Sequence, residues 1–109
     1  MAIIIKNLNK EMTLFDGTPI QAFNSNTPLT FKKALVAVCE LHQPSRSGQG
    51  EALQAFNIGL KIFKAQDSVE LTEDELNDLR KFVNSSKIFL SGVIGQLIKY
   101  LDEAKKSTS

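Results

Sequence analysis

The stretch "SVELTEDEL" (68–76) constrains this chain more than any other, because it leaves no room for a loop. Ser68 to Leu71 alternates polar and apolar, the period of a half-buried strand. Thr72 and Glu75 then make a capping box, in which the threonine hydroxyl accepts from the amide three residues on and the glutamate reaches back to the threonine amide. A short strand therefore runs straight into a helix, whose apolar face continues through Leu76, Leu79 and Val83. A strand needs a partner, and the N-terminus is where β-forming residues concentrate.

"AIIIKNL" (2–8) and "MTLF" (12–15) are rich in β-branched and apolar residues, with "IQAF" (20–23) a shorter candidate. Asp16-Gly17 between the last two predicts a β-hairpin with a type I′ turn, which requires positive φ at both central residues. Pro19 suits an edge position, where no amide donor is needed. Asn24–Leu29 is a loop by composition.

Helical periodicity takes over from there. "TFKKALVAVCELH" (30–42) is a helix with Thr30 as N-cap, and its unbroken apolar run Ala34–Cys39 predicts burial on more than one face. "EALQAFNIGLKIFKAQ" (51–66) carries Leu53, Phe56, Leu60 and Phe63 at intervals of three, four and three, an amphipathic stripe expected to face the core. A fourth helix spans about 87–104, capped by Ser85 or Ser86, with Leu90, Val93, Leu97 and Leu101 inward and Ile94 and Ile98 beside them. The expected fold class is α+β, mainly helical with about four helices, an N-terminal β-hairpin and a short third strand near 69–71 pairing with it.

A chain of 109 residues makes one domain, 1–109, with a flexible loop about 43–50 and a fraying tail 105–109. Thirteen basic and twelve acidic side chains give +1, so no global field draws the protein to nucleic acid or membrane. One cysteine excludes an internal disulfide and suits a reducing compartment. No cationic segment precedes Ile3–Ile5 and no small-residue cleavage site follows, so no signal peptide is read. The greasiest stretch, 88–101, falls short of the roughly 20 residues of a membrane span. A soluble cytoplasmic protein is expected.

Several motifs suggest chemistry and then fail on detail. "LFDGT" (14–18) is similar to the nucleophile strand of haloacid-dehalogenase-type phosphatases, but the attacking carboxylate belongs two residues before Asp16, where Leu14 stands. Cys39 and His42 share a helix face at the spacing of a thiolate pair, yet no third group orients them, and two ligands cannot close a structural zinc site. "SRSGQGE" (45–51) lacks the Lys-Ser/Thr that completes a phosphate-binding loop. The acidic run Asp67–Asp78 misses the calcium-loop pattern at Val69, and its Glu73, Asp74 and Glu75 complement a helix N-terminus. A docking patch for a basic partner is the alternative for that run. Neither catalytic residue, cofactor nor metal ligand is assigned.

Charge is slightly asymmetric: residues 1–64 hold seven basic and four acidic side chains, or +3, and residues 65–109 hold six and eight, or −2. Lys32, Lys33, Arg46 and Lys61, with Lys64, are therefore candidate contacts for a protein partner or for nucleic acid. Most of the seven phenylalanines fall at predicted core positions, leaving little for base stacking. Gly92 and Gly95, inside the last helix, predict a close approach of another backbone, from the same chain or a second subunit.

"LFDGTPI", "PLTFKKALVAVC", "AFNIGLKI", "VELTEDEL" and "SGVIGQLIKYL", in this order, resemble a group of small accessory proteins of tailed bacteriophages and prophages. The resemblance covers most of the chain and implies no functional residue. It implies a non-enzymatic accessory protein in the host cytoplasm, acting through contacts with phage or host proteins or by self-association, or as an assembly factor or chaperone. A nucleic-acid-binding regulator is the alternative.

Overall fold

The computed structural model describes residues 2–21, 27–41, 49–87, 89 and 91–108. Its order is β1 (Ala2–Ile5), α1 (Phe31–Glu40), α2 (Gln49–Lys64), β2 (Val69–Thr72), α3 (Glu73–Ser85) and α4 (Ser91–Thr108). The chain is α+β and mainly helical, with four helices among the described residues and an antiparallel sheet that includes the N-terminal strand.

The strand read at 69–71 is β2, and it pairs with β1 in the register Ile3 to Leu71 and Ile5 to Val69. Those four side chains are buried on one face, while Ile4 and Glu70 point the other way. Alternation with period two makes this possible: cross-strand apolar pairs fill the core side only. β1 stops where Asn7 takes the left-handed conformation at φ 62°, a region that asparagine tolerates better than most residues. The following Leu8 amide donates to the Asp67 carbonyl at 2.8 Å, holding the β1 exit against the β2 entry.

The hairpin at Asp16-Gly17 is present, with a different turn. The Leu14 amide donates to the Thr18 carbonyl at 2.9 Å, and the Gly17 amide donates to the Leu14 carbonyl at 3.0 Å. Among the turn residues only Gly17 has positive φ, at 87°. This is a three-residue loop, a type I turn closed by a left-handed glycine, rather than type I′. Asp16 avoids the left-handed region by accepting from the Thr18 amide at 2.9 Å through Oδ1. Bridges Thr13–Pro19, Gln21–Pro28 and Glu11–Thr30 then draw residues 11–21 and 27–30 into a short irregular ribbon.

Thr30 caps α1 as read, its hydroxyl accepting from the Lys33 amide at 3.1 Å. The Thr72–Glu75 capping box also forms, with Glu75 Oε1 accepting from the Thr72 amide at 2.9 Å and the Glu75 amide donating to Thr72 Oγ1 at 3.1 Å. Three boundaries differ from the reading. α2 begins at Gln49 rather than 51. α4 begins at Ser91, and Ser85 closes α3 instead, donating its hydroxyl to the Lys81 carbonyl at 3.0 Å. α4 also continues through Thr108 where a fraying tail was expected; its last turn carries Lys105 and Lys106, which suit the negative end of the helix dipole. Lys105 reaches Glu73 at 3.8 Å. Leu90 and most of the 43–50 loop lie outside the described residues.

One core joins these elements. Leu35, Val38, Ile62, Leu71, Leu79, Phe82, Val83, Leu97 and Leu101 are buried in it, with Leu8, Met12 and Leu29 contributed by the irregular N-terminal segment. α4 lies against β1 and α3, while α1, α2 and α3 each contact the other two. Among the described residues no helix is long and apolar enough to cross a membrane.

Candidate functional site: an apolar face on the second helix

α1 and α2 approach through small residues. A Cβ added at Gly59 would stand 2.7 Å from the Cβ of Cys39, well inside van der Waals contact. Sequence reasoning placed the close approach at Gly92 and Gly95 instead. Nothing lies within 4 Å of a Cβ at either, and both are exposed, so no described part of this chain packs on them.

This crossing decides which side of α2 is covered. Ala55, Ile58, Gly59 and Ile62 are buried and span about 100° of the helix circumference, at 3.6 residues per turn. The stripe of large residues expected to face the core does not. Leu53, Phe56, Leu60 and Phe63 are 60%, 60%, 37% and 61% exposed, over an adjacent arc of about 80°. Asn57, Lys61 and Lys64 bound that arc on its far side. The placement of most phenylalanines in the core is corrected accordingly: Phe31 and Phe82 are buried, while Phe15, Phe56 and Phe63 are exposed. The physical reason is close packing. Two helices with alanine, glycine and cysteine at their contact approach more tightly than a phenylalanine stripe allows, so the bulky side is turned out.

Between α1 and the stripe runs a groove of about 610 Å³, with Cys39, Ala52, Ala55 and Gly59 along its floor and Phe56, Leu60 and Phe63 along one wall. Glu40 stands at its edge. Cys39 itself is 4% exposed. Burial, and secondarily the neighbouring Glu40 carboxylate, push its thiol up to about 12, so it is protonated at neutral pH. His42, its suggested partner, lies outside the described residues. Among the described residues, no group of three or more His, Cys, Asp or Glu side chains is placed to hold a metal.

The basic side chains picked from sequence serve separate local contacts. The Lys32 ammonium donates to the Ala65 carbonyl at the end of α2. Lys33 reaches Thr27 Oγ1 at 3.4 Å and the Pro28 carbonyl at 3.5 Å. Lys61 pairs with Glu75 at 3.0 Å, beside the capping box. Arg46 lies outside the described residues. A different trio shares a groove: Lys6, Lys10 and Lys99, with the single carboxylate Glu103, line a cleft of about 650 Å³ between the β1 exit and α4. Its aromatic residues, Phe31 and Tyr100, stack on one another with centroids 4.2 Å apart, and the Tyr100 hydroxyl donates to the Lys6 carbonyl. Burial, and then the charge of Asp67, raise the Tyr100 hydroxyl above its ordinary value. In the acidic run, Asp67 accepts from the Asn9 amide at 3.2 Å, Glu73 pairs with Lys105 and Glu75 caps α3, so these three serve the fold.

Compared with known proteins, the chain matches no family model, no curated protein and no solved structure.

Proposed function

We propose that this protein is a non-enzymatic accessory protein that works through protein–protein contact, with the exposed face of α2 as its contact surface. One observation carries the reading: α2 presents apolar side chains over about half of its circumference, and the core covers only part of them. Four large apolar side chains, Leu53, Phe56, Leu60 and Phe63, are left facing water on one helix, which is costly for solubility unless something covers them. The protonated, buried Cys39 thiol supports a role without nucleophilic chemistry. The likeness to small tailed-phage proteins favours an accessory or assembly role in a host cytoplasm. Site-specific photo-crosslinking tests this. A benzophenone side chain at position 56 should give discrete protein adducts in cells, and the same group at exposed position 81 on α3 should not. Equal labelling at both positions, or none at 56, refutes it.

The second reading, a nucleic-acid-binding regulator, is favoured by the cleft lined by Lys6, Lys10 and Lys99 rather than by the lysines of the first choice. Oligonucleotide affinity that falls steeply with salt, and a shallower slope after Lys6→Ala/Lys10→Ala, would support it. Salt-insensitive or absent binding removes it.

A further inference from the structure

We infer that the α2 face is covered by a second copy of this chain, in a two-fold dimer whose α2 helices run antiparallel; this rests on the interface reading above and names its occupant. The first argument is spacing. Intervals of three, four and three between Leu53, Phe56, Leu60 and Phe63 read identically from either end of the helix. A two-fold axis at the level of residue 58 therefore sets Leu53 against Phe63 of the second copy and Phe56 against Leu60, so every large side chain meets another. In an isologous contact residue i meets j and j meets i, so this spacing fixes the register of the two helices.

Shape supplies the second argument. The ridge of Phe56, Leu60 and Phe63 borders the groove floored by Cys39, Ala52 and Gly59, so side chains that meet across the axis have a recess beside them to enter. Area supplies the third. At about 200 Å² for a fully exposed phenylalanine and somewhat less for leucine, the four residues expose roughly 400 Å² of apolar surface. A stable interface covers about 800 Å² per partner, of which roughly 56–65% is apolar. The stripe thus provides most of the apolar half-interface, and Ala52, exposed beside it, adds to that. Charge does not oppose the arrangement: the two Lys64 residues fall at opposite ends, about 18 Å of helix apart.

Sedimentation velocity and disulfide trapping test the dimer and its register together. The wild-type chain should sediment at twice 12.1 kDa, and Phe56→Asp/Leu60→Asp, which alters only exposed side chains, should sediment as a monomer with an unchanged far-ultraviolet circular dichroism spectrum. Leu53→Cys/Phe63→Cys should oxidise almost completely to a covalent dimer, while either single variant, whose like positions sit about 15 Å apart, should cross-link far less. A monomeric wild type across micromolar to near-millimolar concentrations overturns the inference. So does a dimer that survives the double aspartate variant, or single-cysteine variants that cross-link as well as the pair. If the wild type is monomeric yet the position-56 photoprobe still captures another protein, the second copy is ruled out and the interface reading stands. Loss of both results removes both.

Discussion

Gly59→Ala isolates the contact that turns α2 over. The new Cβ would lie 2.7 Å from the Cys39 Cβ, and carbon atoms settle at about 3.5–4.0 Å, so the two helices must part by about 1 Å along a packed face. Overpacking of this kind costs about 1–3 kcal/mol, while replacing a mid-helix glycine by alanine returns up to about 1 kcal/mol. A net loss of about 0–2 kcal/mol is expected. Gly95→Ala is the internal control, because its Cβ meets nothing within 4 Å; it should gain about 0.5–1 kcal/mol from propensity alone. Thermal unfolding followed by circular dichroism should separate the two variants by on the order of 10 °C. A second control concerns the neighbour. Cys39→Ala keeps the offending Cβ and should not rescue Gly59→Ala, whereas Cys39→Gly removes it and should show favourable coupling in a double-mutant cycle. Were Gly59→Ala as stable as Gly95→Ala, the tight crossing would not be what faces the phenylalanines outward.

The Cys39 thiol, pushed up to about 12, should resist iodoacetamide at pH 8 in native buffer and react rapidly in urea; equal rates would show that it is accessible and ionised. Thr72→Ala should cost about 1 kcal/mol in urea denaturation through loss of the cap on α3. Burial alone would raise the Glu75 carboxyl, but the Thr72 amide and the Lys61 ammonium outweigh it and hold it below its ordinary value. Its stabilising effect is therefore complete above the unfolded value and lost as the pH falls through the lower native one. The stability gap between wild type and Glu75→Gln should accordingly be full at neutral pH and close in acid; a gap that widens in acid contradicts the sign. Tyr100→Phe keeps the ring on Phe31 but strands the Lys6 carbonyl, and should cost about 1 kcal/mol in chemical denaturation, with no loss expected only if that hydroxyl is solvated.

The local grammar of this chain is readable residue by residue. The strand-to-helix junction at Thr72, the cap at Thr30, the reversal at Asp16-Gly17 and the inward Leu76, Leu79, Val83, Leu97 and Leu101 all follow from short-range geometry. Hydrogen bonding within a few residues decides the caps and the reversal, and in α3 and α4 a single apolar row leaves one choice of inward face. Even there the turn type was set by Gly17 alone, since a type I turn relieves Asp16 of positive φ.

The candidate site was not readable in this way. Its residues were found from sequence and assigned to the wrong side. Periodicity reports that α2 has the apolar row Leu53, Phe56, Leu60 and Phe63, but α2 also has the row Ala55, Ile58, Gly59 and Ile62, and both satisfy a helical repeat. Which row is buried depends on the shape of α1, 20 residues away in sequence where Cys39 meets Gly59. The lysines tell the same story: Lys6, Lys10 and Lys99 are scattered along the chain, and only the contact of α4 with β1 gathers them at one cleft. The four helices, the caps at Thr30 and Thr72 and the strand that runs into α3 belong to the sequence by itself, whereas the pairing of that strand with Ala2–Ile5 and the reduction of 12–15 to isolated bridges do not. The side of α2 left facing outward, and with it the proposed surface, was decided only by tertiary packing, because close approach rewards the small face and that preference exists only once a second helix is there to approach.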